Sequence, residues 1–369
     1  MEALNDRYRV VYRHLQDRFT RGDLATGPDD TYGRHRKDGA WTIERMRLHQ
    51  AILDEAKAAC AGLPRGGKAV LLTSGPPGAG KGEAQGLLRA RQGDGTELGQ
   101  ALSEAHGVGP EEYVVLDPDR FKEALFRHGG TPTLAPEAYV LPGGLRLAPA
   151  ELAPLVHRES AYLRDTFEDW ARSENLNLLY DGVMADYDWT ATMLGDLARK
   201  GYADRVVLSV EVPMQTSLEQ NALRWQKGRL RFDAGADSYG GRMAPEYLIR
   251  ALYPQQAADA SFSAARANAD RLYAEGAITG LIKVDRGAWS EEPAPSPLAP
   301  VMRHKSVEGD MRVSATAAPT PGRPSSAAAR SRSTTVRKTP GSPARPATPK
   351  AADQPPHLRQ IGPKPGRTR

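Results

Sequence analysis

Short apolar runs alternate with amphipathic stretches through the middle of the chain. Five of the apolar runs predict β-strands: KAVLLTS, YVVLD, LNLLYDG, DRVVLSVEV and GLIKVD. The stretches between them, for example TATMLGDLARKG and the longer one over residues 149–174, have the period of an amphipathic helix. Because the strand runs are continuously apolar, both faces of their sheet should be covered. The pattern predicts an α/β fold over residues 67–289, with a mostly parallel sheet flanked by helices.

Residues 1–66 have helical periodicity but little catalytic chemistry. The stretches ALNDRYRVVYRHLQDRF and TIERMRLHQAILDEAKAACAG predict two helices, the second capped by Thr42. The segment ATGPDDTYGRHRKDG between them predicts a loop. We therefore expect a helical N-terminal segment that packs on the core.

The basic character of the chain is concentrated at its C-terminal end. Residues 290–369 carry 14 Lys and Arg against 5 Asp and Glu, whereas residues 1–289 carry 36 against 40. The end segment is rich in Pro, Ala, Ser and Arg and has almost nothing to bury, so we predict a disordered basic tail. The basic charge of this tail suits nonspecific contact with nucleic acid, but the mildly acidic core argues against a nucleic-acid substrate.

Two further observations limit the class of protein. No apolar run is long enough for a membrane-spanning helix, and the N-terminus MEALNDRYRV does not resemble a signal peptide. Cys60 is the single cysteine, which excludes an internal disulfide. We expect a protein without a membrane partner, located in the cytoplasm.

A glycine-rich phosphate loop of the form G-x-x-x-x-G-K follows the first predicted strand of the core. Its glycines permit backbone angles that point successive N–H groups inward, where they bind phosphate oxygens. The lysine of such a loop reaches the β- and γ-phosphates. The sequence therefore predicts a nucleotide site formed by Gly75, Pro76, Pro77, Gly78, Ala79, Gly80, Lys81 and Gly82.

Gly82 stands where this motif usually has Ser or Thr, whose hydroxyl binds Mg²⁺. The loop GPPGAGKG resembles that of adenylate kinases, which also have glycine at this position. We expect ATP and Mg²⁺ as cofactors, and the sequence leaves the metal ligands unknown.

Asp117 and Asp119 follow the predicted strand YVVLD, at the edge where α/β sheets bind their ligands. A carboxylate there can accept the proton of an attacking hydroxyl. Acidic residues at a strand end also often do no more than cap the next helix.

Several motifs in order resemble the zeta-toxin family of kinases. After the phosphate loop come DPDRFK, VHRESAYLRD, LNLLYDG, TATML and VEVP, then NALRWQKGR with Arg224 and RMAP with Arg242. The resemblance extends over about two-thirds of the chain, to about residue 285. It implies a phosphate-loop kinase fold.

The resemblance also implies catalytic roles for matching residues. Lys81 would bind the β- and γ-phosphates, and Asp119 would be the general base. Arg224 and Arg242 would clamp the nucleotide phosphates, with Arg242 counted as catalytic. The loop YGGRMAPEY around Arg242 is rich in glycine, which is typical of a mobile clamp.

Three aspartates would contact the substrate by the same resemblance: Asp117, Asp165 and Asp181. Val183 follows Asp181-Gly182, where the family usually has Thr, and this departure weakens the substrate assignment.

The implied reaction is ATP-dependent phosphorylation of the 3′-hydroxyl of the amino sugar in UDP-N-acetylglucosamine. An antitoxin protein that blocks the nucleotide site is the implied partner.

Two alternatives remain open. The first is a nucleoside monophosphate kinase, although YDGVMADYD lacks the Pro-Arg of that class. The second is a nucleotide-binding module without catalysis, which the departures at Gly82 and Val183 favour.

Overall fold

The segment before the core consists of two long helices joined by a short helix and a β-ribbon. The computed structural model describes residues 4–82, 84, 110–254 and 262–285. Thr42 caps the second long helix as predicted, because its side chain accepts a hydrogen bond from the Arg45 N–H. The elements are α1 (Asp6–Arg21), α2 (Thr31–Arg34), β1 (Arg36–Lys37), β2 (Ala40–Trp41) and α3 (Ile43–Ala58).

The interpretation of residues 25–39 as a loop was wrong in part, because α2 and β1 lie within it. Asp38 and Gly39 connect β1 to β2 with φ angles of +50° and +80°. Two successive residues with positive φ form the tight turn that suits a short hairpin, and Asp-Gly is a favoured sequence for it. That dipeptide was the signal available in the sequence.

The five predicted strands of the core form one parallel sheet, which confirms the predicted fold class. The order across the sheet is β4-β5-β3-β6-β7, and every neighbouring pair is parallel. All carboxyl ends therefore lie at one edge, with the phosphate loop at the centre. The strands are β3 (Ala69–Ser74), β4 (Tyr113–Leu116), β5 (Asn177–Tyr180), β6 (Asp204–Glu211) and β7 (Gly280–Asp285).

Hydrophobic clusters cover both faces of this sheet, as the continuous apolar runs predicted. Along β3, Val70 and Leu72 belong to a cluster with Phe121 on one face. Leu71 belongs to another cluster with Leu208. Alternate strand residues point to opposite faces, so a strand covered on both faces is apolar over most of its length. The flanking helices are α4 (Pro118–Arg127), α5 (His157–Ser173), α6 (Tyr187–Arg199), α7 (Met214–Asp233), α8 (Glu246–Ala251) and α9 (Ala264–Ala274).

Residues 149–174 do not form the single helix that their periodicity predicted. Pro149–Val156 form a 3₁₀ segment, and α5 begins only at His157. Pro154 lies inside the 3₁₀ segment and has no N–H to donate, so a continuous α-helix is unfavourable there.

The N-terminal helices pack on helices of the core. Tyr12 of α1 lies against Trp225 of α7, with ring centroids 5.3 Å apart. Arg45 of α3 donates to both carboxylate oxygens of Glu159 on α5, at 2.5 and 2.7 Å. These contacts join residues 4–58 to the core.

Two predictions concern residues that lie outside those described. They are the disordered tail over 290–369 and the domain boundary at 289. Among the described residues, no helix is both long and apolar enough to cross a membrane.

Candidate active site

The phosphate loop leaves β3 in a conformation that only glycine adopts easily. Gly75, Gly78 and Gly80 have φ angles of +133°, +81° and +84°. A Cβ atom on Gly75 would lie 1.9 Å from the carbonyl oxygen of Val210 in β6, which is closer than any real contact. Gly75 needs glycine for both reasons, and the turn lies at the centre of the edge where the strands end.

Lys81 lies in the first turn of the helix that follows the loop. Its Nζ donates to the carbonyl oxygens of Gly75 and Pro76, at 2.8 and 3.0 Å. Burial lowers the pKa of Lys81 to about 8, and the carboxylate of Asp181 opposes that shift more than any other charge. Gly82 is exposed, and a Cβ atom there would meet none of the described residues within 4 Å.

Asp117 both ends β4 and caps α4, because its Oδ1 accepts a hydrogen bond of 2.8 Å from the Asp119 N–H. Burial raises the pKa of Asp117 to about 6, and the charges of Asp119 and Asp181 add to that effect. The capping role that the sequence left open is therefore present, within an acidic group at the edge of the sheet.

Asp119 forms two ion pairs in the first turn of α4. Lys122 Nζ donates to its Oδ1 at 2.7 Å, and Arg242 Nη1 donates to its Oδ2 at 3.2 Å. The charge of Lys122, and with it that of Arg242, holds the pKa of Asp119 well below the ordinary aspartate value. Asp119 is therefore a carboxylate at neutral pH, with a low proton affinity while both cations contact it.

Arg242 contacts this carboxylate, and Arg224 is close enough for the charges of both to act on its pKa. Desolvation lowers the pKa of Arg224, and the positive charge of Arg242 is the next largest cause. The charge of Asp119 acts on both guanidinium groups and on Lys81. The structure thus brings together Lys81, Asp119, Arg224 and Arg242, which come from four separate parts of the chain.

The remaining predicted substrate residues lie in different places. Asp181 follows β5, and its Oδ1 accepts a hydrogen bond of 2.8 Å from the Thr73 hydroxyl, next to the phosphate loop. Asp165 lies on α5 and pairs with Arg164 at 2.6 Å. The charges that act on Asp165 come from its own helix, and the structure does not join it to the cluster around Asp119.

Sequence reasoning missed three residues near the cluster. Lys122, quoted only as part of DPDRFK, forms the shorter ion pair with Asp119. Tyr239 packs on Phe126 with ring centroids 5.7 Å apart, and Asp119 is the charge that most raises its pKa after burial. Asn221 on α7 binds the backbone of the segment that carries Arg242. Helical spacing could have indicated Lys122, three residues after Asp119, but nothing local indicated the other two.

The description of the matching protein-family model is zeta toxin, and the match covers residues 54–288. This chain belongs to the zeta toxin family. Membership supports a kinase-type enzyme and confirms the family resemblance of the motifs. A comparison with curated proteins finds no significant relative of this zeta toxin family member.

Solved structures similar to this family member include the two that follow. One belongs to the PezAT chromosomal toxin–antitoxin system of Streptococcus pneumoniae, with 12% identity and a TM-score of 0.42. That match covers 67% of this chain and 79% of the other. A complex of AvrRxo1-ORF1 and -ORF2 with ATP has 18% identity and a TM-score of 0.42, with 70% and 68% covered.

Proposed function

We propose that this chain is an ATP-dependent phosphotransferase that acts on a hydroxyl of a small molecule, with the 3′-hydroxyl of the amino sugar in UDP-N-acetylglucosamine as the leading acceptor. The observation that carries the proposal is the grouping of Asp119 with Lys81, Arg224 and Arg242 at the carboxyl edge of a parallel sheet. Phosphoryl transfer needs little covalent chemistry from a protein, but it needs positive charge around the transferred group and an aligned nucleophile.

In the proposed reaction, backbone N–H groups of the phosphate loop and Lys81 hold the β- and γ-phosphates. To reach them, Lys81 Nζ exchanges the carbonyl oxygens of Gly75 and Pro76 for phosphate oxygens. Arg224 and Arg242 stabilise the negative charge on the transferred phosphoryl group. Asp119 accepts the proton as the acceptor hydroxyl attacks the γ-phosphorus.

The ion pair between Arg242 and Asp119 gives this proposal an order of events. While Arg242 contacts Asp119 at 3.2 Å, the carboxylate is a weak base. A nucleotide phosphate competes for the same guanidinium group, and its arrival would raise the proton affinity of Asp119. The base would therefore become stronger once the phosphate donor is bound.

Mg²⁺ fits this site if the nucleotide supplies most of its ligands. The described residues contain no group of three or more His, Cys, Asp or Glu arranged to hold a metal. Mg²⁺ usually keeps several waters and binds one or two carboxylates together with substrate phosphates. Asp117 and Asp181 would be those carboxylates, and the open space at Gly82 admits water. When bound, the ion would neutralise charge on the phosphates.

The test is incubation of the protein with ATP, Mg²⁺ and UDP-N-acetylglucosamine, followed by mass spectrometry for a singly phosphorylated sugar nucleotide. The variant Asp119→Asn should lose at least 10²-fold in turnover while it keeps its affinity for ATP. Asp196→Asn is the matched control, because Asp196 lies on α6 and pairs there with Arg199, outside the residues assigned to nucleotide or substrate. Unchanged turnover in Asp119→Asn would remove this residue from the mechanism.

The same experiment separates the alternatives. Transfer to AMP in place of the sugar nucleotide would favour the nucleoside monophosphate kinase that GPPGAGKG resembles. Tight ATP binding with no transfer to any acceptor would favour a noncatalytic module.

An antitoxin partner is a further part of the proposal, supported by family membership. Co-purification of a small protein encoded beside this chain, with loss of ATP binding in the complex, would test it.

A further inference from the structure

The segment Tyr239–Ala244, which carries Arg242, lies lengthwise along one face of α7. Gly241 has no room for a side chain, because a Cβ atom there would lie 2.0 Å from the carbonyl oxygen of Trp225. A Cβ atom on Gly228 would lie 2.4 Å from the Cα atom of Gly241. The two glycines thus let the backbones of the segment and the helix touch directly.

Polar contacts fix both ends of the same segment. The buried amide of Asn221 accepts from the Ala244 N–H and donates to the Ala244 carbonyl oxygen, each at 2.9 Å. At the other end the Tyr239 carbonyl oxygen accepts from the Ala150 N–H at 2.9 Å. Two bonds from one side chain to one residue specify both the position and the direction of the chain.

These contacts lie in register with the other functional groups of α7. Asn221, Trp225 and Gly228 recur at the spacing of one helix face, and Arg224 lies next to that face. One turn before Asn221, the Ser217 hydroxyl donates to the carbonyl oxygen of Pro77 in the phosphate loop at 2.6 Å. The helix therefore joins the phosphate loop, Arg224 and the Arg242 segment in one rigid element.

We infer that Tyr239–Ala244 is a rigid mount that places Arg242 beside Arg224 before nucleotide arrives, and that Gly228 and Asn221 are its positioning residues. The glycines of this segment are required for close backbone contact, whereas the sequence indicated a mobile clamp. Two guanidinium groups repel each other, so fixed backbones must hold them together in the absence of an anion. The inference deepens the proposed function, because it rests on Arg242 as a phosphate ligand.

Hydrogen exchange tests the mount in the unmodified full chain. The Ala244 amide donates to Asn221, so it exchanges quickly only if the segment leaves α7. We expect at least 10²-fold protection without nucleotide and less than a threefold change when Mg²⁺ and a nonhydrolysable ATP analogue are added. Exchange at the rate of an unstructured chain, followed by protection on addition of the analogue, would overturn the inference. This measurement does not depend on whether the protein is a kinase.

A double-mutant cycle tests the positioning role. Gly228→Ala should weaken binding of the ATP analogue about tenfold in the natural sequence, but less than twofold when Arg242→Ala is also present. Gly195→Ala is the matched control on α6, where the nearest atom to a new Cβ is the flexible end of Arg199 at 3.5 Å. Equal losses of affinity with and without Arg242→Ala would overturn the positioning role, because they would mean that Gly228→Ala disturbs the structure in a way that does not involve Arg242.

A second variant keeps the test usable if Gly228→Ala does not fold. Asn221→Asp keeps an oxygen that accepts from the Ala244 N–H but loses the N–H donor to its carbonyl oxygen. Because Asn221 Oδ1 also accepts from Arg224 Nη2 at 3.5 Å, the comparison is made with Arg224→Ala present throughout. We expect a smaller loss of affinity that again depends on Arg242, and a loss independent of Arg242 would overturn the inference. If the natural protein binds no analogue, the proposed function fails, and hydrogen exchange alone then decides on the mount.

Discussion

Asp117 and Asp119 show how two carboxylates in one turn of chain acquire opposite proton affinities. Asp117 accepts a backbone hydrogen bond but has no cationic side chain bonded to it among the described residues, and burial raises its pKa to about 6. Asp119 contacts Lys122 and Arg242, which hold its pKa well below the ordinary value. Two neighbouring cations, Lys122 one turn along α4 and Arg242 from a distant segment, thus lower the proton affinity of Asp119 below that of Asp117, and the D-x-D motif alone does not indicate this.

The raised pKa of Asp117 predicts that the variant Asp117→Asn gains stability in a pH-dependent way. Because burial raises the pKa of Asp117 from the ordinary 3.8 to about 6, this carboxyl group destabilises the fold progressively as the pH rises from about 4 to 6, and the full cost is present above that range. Asn cannot ionise and caps a helix equally well. We expect the variant to be more stable by about 1–2 kcal/mol at pH 7.5 and by almost nothing at pH 4, measured by urea unfolding.

Asp186→Asn is the matched control for that measurement. Asp186 also caps a helix, accepting from the Trp189 N–H at 2.9 Å, but it is exposed. A gain in Asp117→Asn that persists unchanged at pH 4 would contradict the assignment to ionisation.

The glycines of the phosphate loop predict contrasting effects of the same substitution. Gly75→Ala introduces a Cβ atom 1.9 Å from a backbone oxygen at a φ of +133°. We expect it to lower the free energy of unfolding by about 3 kcal/mol or more. Gly82→Ala meets open space within a helix and should change stability by less than about 1 kcal/mol, in the favourable direction. Thermal melting of both variants checks this, and equal melting temperatures would contradict the loop geometry.

At the scale of elements, burial patterns determined what the sequence could predict. All five core strands were predicted because each contains a continuous apolar run, as a strand covered on both faces requires. Prediction from hydrophobic periodicity failed at two places, where a local backbone preference determines the structure. Pro154 prevents a continuous α-helix within a stretch whose apolar periodicity continues on both sides. Asp38-Gly39 connects strands of only two residues each, which are too short to show alternation of apolar and polar residues.

The junction of α3 and α5 predicts sensitivity to acid. Burial alone would raise the pKa of Glu159, but hydrogen bonds from His49 and Arg45 lower it to about 2. A depressed carboxylate pKa adds stability that is present above pH 4.5 and is lost as the pH falls towards 2. Glu159→Gln should therefore cost about 3 kcal/mol at pH 7 and clearly less at pH 3, measured by urea unfolding.

Glu174→Gln is a suitable control for the acid series. It removes an exposed pair with Arg65 at 3.0 Å, which should be worth less than about 1 kcal/mol at either pH. If Glu159→Gln lost the same free energy at pH 3 as at pH 7, ionisation of Glu159 would not stabilise the junction.

At the scale of the whole molecule, assembly of the site depends on strand order, which local patterns do not contain. Asp119 and Arg242 are 123 residues apart in sequence, yet their side chains touch. The motif order resembling the zeta toxins indicated that these groups act together. It could not indicate that α7 positions Arg242 through Asn221 and Gly228, because those contacts arise from close backbone packing. The residues that group around Asp119 were thus more predictable from the sequence than the contacts that position them.

The uneven distribution of charge predicts that removal of residues 290–369 weakens nonspecific binding to polyanions without weakening the binding of ATP. The chain has a net charge of +5, and ending it at Trp289 leaves 36 basic and 40 acidic residues. The shortened protein should lose retention on heparin at low salt, because nonspecific binding to polyanions follows basic charge. Its affinity for ATP and its melting temperature should stay within twofold and about 2 °C of the full chain, since the family match ends at residue 288. Calorimetric titration with ATP checks this, and a tenfold weaker affinity would mean that residues 290–369 contribute to the nucleotide site.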